Sequence, residues 1–211
     1  GLCSGEQAVV FEGRSHRSTL VTEMSDRGWT GVVLAGGKSS RMGHDKAMIE
    51  HEGVTLLQLG IERLRPLARE VIVIGDPEKY AEHWSHVIPD DSPGDGPLRG
   101  IATALKHARY VKVLVTACDM PSINDRLLIQ LKNALDNGGD AIVPRHAGKV
   151  EPMAAAYHKR SLESFENCLS KGSYRLSDAL VTVDTHFMDI VPGKFGWPLN
   201  LFRNINSPSD L

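Results

Sequence analysis

Lys46 and Asp119 are the two side chains on which chemistry is most readily placed, Lys46 at the far end of a loop that leaves one short apolar run and Asp119 just beyond another. Lys46 closes the stretch Gly31-Val-Val-Leu-Ala-Gly-Gly-Lys-Ser-Ser-Arg-Met-Gly-His-Asp-Lys46, in which a strand-like segment leads straight into a basic, glycine-rich loop. Gly36, Gly37 and Gly43 tolerate positive φ and let backbone N–H groups approach an anion closely. Arg41 and Lys46 add charge that neutralises a polyphosphate, so the loop reads as a phosphate cradle and its natural ligand is a nucleotide. The planar fork of Arg41 suits paired β/γ-phosphate oxygens, whereas the compact ammonium of Lys46 suits the α-phosphate and the charge that develops there. Lys38 reads as a loop lysine in water. His44 reads as a loop residue, because an anionic phosphate nucleophile needs no general base. The spacing fits neither the Walker form nor the dinucleotide G-x-G-x-x-G form.

Asp119 stands just past Val111-Lys-Val-Leu-Val-Thr-Ala117, with Cys118 between, and is stiffened by Pro121. A carboxylate there projects from a rigid support, and Mg²⁺, which takes one or two carboxylates plus substrate phosphates, is its expected partner. The alternative is that Asp119 caps the helix that begins near Asn124.

These residues need a scaffold that brings two strand ends together. Gly31 to Ala35, Val71 to Gly75, Val111 to Ala117, Ala141 to Pro144 and Ala154 to Tyr157 read as strands. Apolar residues at Leu56, Leu57, Ile61, Leu64 and Leu67 or Ala68 recur with helical period, and Leu98 to Ala108 and Asn124 to Leu135 read as further helices. The β-α-β-α order predicts an α/β fold with a mostly parallel sheet and right-handed crossovers. Ligands of such sheets sit beyond the strand C-termini, where strand order switches, and both the glycine loop and Asp119 lie at such ends.

Composition narrows the class. The chain has 211 residues, 41% of them hydrophobic, enough for one ordinary domain. A net charge of −2 gives no basic footprint for nucleic acid. Cys3, Cys118 and Cys168 form no C-x-x-C pair, as expected of reduced thiols in the cytoplasm, and no histidine spacing suggests zinc. No apolar run approaches the roughly 18 residues of a membrane helix. Glu6, Glu12, Arg14, Arg17 and Glu23 occupy positions a signal peptide would leave apolar. Residues 1–29 are expected to be an extension outside the catalytic fold, with Met24 an alternative start, and residues 30–211 a single domain.

The stretch from Leu34 to Lys46 resembles the signature of nucleotidyltransferases that build nucleotide-linked cofactors and sugars, and within them most nearly the molybdenum cofactor guanylyltransferases. Four further stretches follow in that family's order: Asp90-Asp-Ser92 leading to Gly96-Pro-Leu-Arg-Gly100, Cys118-Asp-Met-Pro121, Glu151-Pro-Met153, and Asn204-Ile-Asn-Ser-Pro-Ser-Asp-Leu211. The resemblance implies a Rossmann-like three-layer α/β/α sandwich of the nucleotide-diphospho-sugar transferase type. It implies that Leu34, Ala35, Gly36, Gly37 and Lys46 hold the nucleotide together with Asp91, Gly96, Pro97, Leu98, Gly100 and Asp119. Gly100, without a side chain, leaves room for a flat purine, and Asp90 caps or solvates its loop.

By the same resemblance Lys46, Arg41 and Asp119 are catalytic, Asp119 binds Mg²⁺, and Asn204 or Asn206 completes the metal shell. Equally, Ser207-Pro208 simply opens a terminal helix. Glu151 lies on the acceptor side of the cleft, or in a plain surface loop. Where the family carries a nucleotide-contacting Asn near the end of its second strand, this chain has Ile74, so that contact is missing or moved to Asp76. The implied reaction transfers GMP from GTP to the phosphate of molybdopterin or its molybdenum form, with a molybdoenzyme or cofactor-insertion protein downstream. The paired Gly36-Gly37 leans toward GTP. The alternatives are a cytidylyl- or sugar-phosphate nucleotidyltransferase on the same fold, or a noncatalytic nucleotide-binding delivery protein.

Overall fold

Trp29–Leu34 is buried at every position, the mark of a central strand covered on both faces. The computed structural model describes residues 28–36, 45–90 and 96–210. Along them run β1 (Trp29–Leu34), β2 (Glu50–His51), β3 (Val54–Thr55), α1 (Leu56–Leu64), β4 (Glu70–Ile74), α2 (Pro77–Tyr80), β5 (Val87–Ile88) and α3 (Pro97–His107). The second half holds β6 (Lys112–Ala117), α4 (Asp125–Asp136), β7 (Ala141–His146), β8 (Lys149–Val150), β9 (Ala154–His158), α5 (Leu162–Ser170), α6 (Leu176–Leu180) and β10 (Thr185–Asp189).

Among the described residues the main sheet has the order β10-β7-β9-β6-β1-β4-β5, with β8 paired to β7. Pairs β1–β4, β1–β6, β4–β5 and β7–β10 are parallel. The alanine-rich β9 runs antiparallel between β6 and β7, so the mostly parallel sheet carries one reversed strand in its middle. Strand order changes direction at β1 and β6: β4 and β5 build outward on one side of β1, and the chain then returns to lay β6 on the other.

Alternation along the strands divides the core into two layers. Val33, Val73 and Leu114 face Leu57, Ile61 and Leu64 of α1 and Leu127, Leu128 and Leu131 of α4. Val32, Ile72, Val113 and Val115 face Ile101 and Leu105 of α3 and Phe165 of α5. This is the three-layer sandwich expected from the sequence, and a one-residue slip in β1 would exchange the two faces. Helix α1 comes close to β1, since a Cβ on Gly60 would lie 3.2 Å from Val33 Cγ1 and one on Gly31 would lie 3.0 Å from Leu64 Cβ.

Helix starts follow local chemistry. Thr55 Oγ1 accepts from Gln58 N at 3.1 Å to open α1, and Asn124 Oδ1 accepts from Leu127 N at 3.0 Å to open α4. Helix α1 stops at Leu64 rather than reaching Ala68; Leu67 and Ala68 follow in a turn and still pack on the core. The short strands β2, β3, β5, β8 and β10 carry no sequence pattern long enough to announce them. Strand β1 begins at Trp29, which is 6% exposed and part of the core, two residues ahead of the Gly31 start expected from the sequence. Residues 1–27 lie outside the described residues. Among the described residues no helix is long and apolar enough to cross a membrane.

Candidate active site

The ends of β1 and β6 meet through the backbone. Cys118 N donates to Leu34 O at 3.1 Å, and Ala35 N donates to Ile74 O at 2.9 Å, so positions 34–36 and 118–119 share one edge of the sheet. Leu34 is buried with Ile74, Leu98 and Ile101. Gly36 is exposed, and a Cβ built on it would meet no atom within 4 Å. That open space lies at the strand end from which the expected cradle loop departs. Gly37, Lys38, Arg41, His44 and Asp91 lie outside the described residues.

Lys46 re-enters at the start of a 3-10 turn, Lys46–Met48, with Asp45 as its cap. Its Nζ lies 3.5 Å from Asp119 Oδ2 and donates to Asn206 Oδ1 at 2.5 Å. The lysine and aspartate side chains are 21% and 19% exposed, so the pair is sheltered from solvent yet reachable. Three segments remote in sequence therefore converge on one ammonium. Asp119 is not a helix cap, since Asn124 fills that role. Its other oxygen, Oδ1, is buried and has no hydrogen-bond partner among the described residues. An anionic oxygen desolvated in this way is costly unless a cation offsets it, so the site fits a hard divalent ion bound by one carboxylate and substrate phosphates. Among the described residues no group of three His, Cys, Asp or Glu side chains forms a self-sufficient metal cage.

The C-terminal segment reaches the site because its apolar residue is anchored. Ile205 is 3% exposed, packs with Ile49 and Leu56, and donates its N–H to Asp119 O at 2.8 Å. Asn204 and Asn206 flank it, both exposed. Asn206 carries the lysine contact through its amide oxygen. The turn that follows, Pro208–Asp210, is 3-10 rather than a helix, and Asp210 Oδ2 accepts from the N–H groups of Asn206 and Ser207, each at 2.8 Å.

On the other flank, Gly96 has φ +85° and ψ −178°, a backbone state open essentially to glycine alone, and it turns the chain into α3. Pro97 takes the first turn, Leu98 is fully buried, and no side chain caps the helix. Gly100 faces Leu34: a Cβ there would lie 3.6 Å from Leu34 Cδ2 and 4.0 Å from Asp90 Oδ2. Leu98 and Gly100 thus sit beside the end of β1, with Gly96 and Pro97 at the helix start before them. Ile74 is buried in β4 at 2% exposure, and Asp76 caps α2 through Glu78 N at 3.0 Å.

Several contributors had no sequence signal. Arg63 Nη2 donates to Pro121 O at 2.6 Å and braces the turn after Asp119; burial lowers its basicity. Cys118 is buried beside Asp119, and burial first, then the neighbouring carboxylates, push its thiol far above the ordinary range, leaving it inert. Glu151 Oε1 lies 2.8 Å from His146 Nε2, and the His146 ring stacks on Phe202 at 4.5 Å. These rings, with Leu199, Asn200 and Arg203, line a groove of about 740 Å³ beside the C-terminal segment.

Comparison with known proteins places this geometry. Residues 31–183 match the family described as the MobA-like NTP transferase domain. The chain belongs to this family. It is 30% identical over 189 residues to a protein named probable molybdenum cofactor guanylyltransferase from Geobacillus sp. (strain WCH70), covering 85% of this chain and 94% of that one. It is 34% identical over 184 residues to a protein of the same name from Pelotomaculum thermopropionicum, covering 86% and 89%. Its structure is similar to molybdopterin-guanine dinucleotide biosynthesis protein A from Archaeoglobus fulgidus, with a TM-score of 0.71, 28% identity and coverage of 86% and 94%. At 14% identity and a TM-score of 0.63, 4-diphosphocytidyl-2C-methyl-D-erythritol synthase from Anaerococcus prevotii shares the fold.

Proposed function

We propose that this chain transfers GMP from GTP to the terminal phosphate of molybdopterin or its molybdenum form, yielding the guanine dinucleotide cofactor and pyrophosphate. The observation that carries this reading is the convergence of Lys46, Asp119 and Asn206 at the β1/β6 switch point of a MobA-like NTP transferase fold. An acceptor phosphate oxygen attacks the α-phosphorus in line; one O–P bond forms, the bond to the β-phosphate oxygen breaks, and pyrophosphate leaves with the electron pair. The nucleophile is already anionic, so no side chain need remove a proton.

The residues act by positioning and by neutralising charge. The backbone N–H groups of Gly36 and Gly37 and the Arg41 guanidinium receive the triphosphate, the Ala35 N–H being held by Ile74 O. Lys46, sheltered from bulk water and aimed by Asn206, meets charge gathering on the α-phosphoryl group. Asp119 would hold Mg²⁺, which neutralises the polyphosphate when bound. Leu34 and Gly100 are the wall for the base, with Leu98 buried behind them, and Gly96, Pro97 and Asp91 are expected to contact the nucleotide. The groove along His146, Phe202 and Arg203 lies on the opposite flank, where the acceptor is expected. A molybdoenzyme or cofactor-insertion protein would take the product.

Pyrophosphate release with purified molybdopterin and Mg²⁺, supplied with GTP, CTP, ATP or UTP separately, tests the reading. Release with GTP is expected. Release with CTP instead would move the chain to cytidylyl transfer, and nucleotide binding without release would favour a delivery protein.

A further inference from the structure

Tyr80 closes α2 and is 2% exposed, yet its hydroxyl is not idle. It lies 2.9 Å from Ala35 O, 2.9 Å from Asp45 Oδ1 and 2.8 Å from Asp45 Oδ2. Ala35 is the first residue after β1, and Asp45 is the residue before Lys46. One phenol therefore joins the exit of the strand to the return of the chain ten positions later. Asp45 is otherwise held by Ala47 N at 3.1 Å and by Lys79 Nζ at 3.9 Å, both close to it in space but neither reaching β1.

We propose that Tyr80 is a positioning residue for Lys46: its hydroxyl fixes the Asp45 carboxylate against the end of β1 and so sets the direction from which the Lys46 ammonium reaches Asp119 and Asn206. The charged carboxylate is the stronger acceptor for the single phenol proton. Burial, and then the Asp45 hydrogen bond, hold the phenol well above its ordinary titration range, so it stays a donor throughout neutral pH. The ring is built into the fold as well: a Cβ on Gly75 would lie 2.7 Å from Tyr80 Cε2, so the backbone approaches the ring where a side chain would clash. Phenylalanine keeps that ring and removes only the hydroxyl.

The kinetic part of this inference rests on the nucleotidyl-transfer reading; the positioning part does not. Tyr80→Phe in the full chain is therefore followed by two readouts. The first is the rate at which Lys46 is acylated by acetic anhydride, measured by peptide mass spectrometry against the exposed Lys149 as internal reference. The second is pyrophosphate release, resolved into kcat and KM for GTP. Lys46 is expected to label severalfold faster relative to Lys149, with kcat lowered roughly tenfold to a hundredfold and KM little changed. Asp45→Ala, which removes the same link and leaves Tyr80 in the core, is expected to accelerate Lys46 labelling likewise, and it carries the test should Tyr80→Phe fail to fold. An unchanged labelling ratio in the folded variants overturns the proposal, as does undiminished kcat for Tyr80→Phe in an active parent. Faster labelling alongside a parent that releases no pyrophosphate would leave the positioning role standing and defeat the GMP-transfer reading.

Discussion

Lys46 and Asp119, separated by 73 positions in the chain, face each other at 3.5 Å across the gap between β1 and β6. Each is placed by its own local structure: Lys46 opens a 3-10 turn capped by Asp45, and Asp119 lies in the turn two residues beyond the end of the buried strand β6. What they share is the place where strand order reverses, the crevice in which open α/β sheets bind ligands. Truncating either is expected to lower kcat by about a hundredfold, the scale of removing one preorganised electrostatic contact. The double variant Lys46→Ala/Asp119→Asn should lose less than the sum of the two, because each is oriented by the other. Steady-state kinetics on the four proteins checks this.

Gly36→Ala should separate folding from binding. Its Cβ would enter open space, so thermal unfolding is expected to match the parent. The same methyl would stand where a phosphate must approach the backbone, and nucleotide affinity is expected to fall about tenfold, or 1.4 kcal/mol. Calorimetric titration with GTP measures it.

Gly96→Ala should do the reverse and act first on stability. At φ +85° and ψ −178°, a side chain is strained whatever the space around it, at a cost of about 1–3 kcal/mol. Denaturant midpoints should show that loss. Gly100→Ala, whose Cβ would meet Leu34 only at ordinary contact distance, should leave stability nearly unchanged and weaken purine binding.

Acid should loosen the far edge of the sheet. Burial alone would raise Asp140, but the Arg160 guanidinium and the Asp184 N–H outweigh it and hold the carboxyl below its ordinary range. A depressed folded-state value means that the stabilisation is present above the unfolded value near pH ~3.9 and is lost as pH falls through the folded value. Asp140→Asn is therefore expected to be less stable than the parent at neutral pH, and the difference should shrink below about pH 4. Denaturant midpoints measured against pH test the sign.

The sequence was most legible where one local pattern sufficed. Buried strands such as Val71 to Gly75 and the helical period from Leu56 to Leu64 announced the sandwich, and the two strand ends announced where a site must form. Boundaries moved where capping or turns decided them, as at Leu64. The reversed β9 was legible as a strand but not in its direction, because antiparallel insertion depends on where β7 and β6 leave room. Within the candidate site, Asp119 had two readings that only the cap at Asn124 separated. Asn204 and Asn206 were indistinguishable until Asn206 was seen to accept from Lys46. Tyr80, Arg63 and the His146–Phe202 stack were illegible, since each acts through a contact with a remote segment and none belongs to a short motif. Ile74 stood out as a departure, and its burial at the end of β4 accounts for an apolar residue there.

The most direct test of the account follows the phosphorus. GTP radiolabelled at the α-position and, separately, at the γ-position is incubated with the protein, Mg²⁺ and molybdopterin, and the products are resolved. The expected result is α-label in the dinucleotide cofactor and γ-label in pyrophosphate, formed one for one. Label passing from the γ-position to the acceptor, or appearing as inorganic phosphate with no dinucleotide, would contradict nucleotidyl transfer.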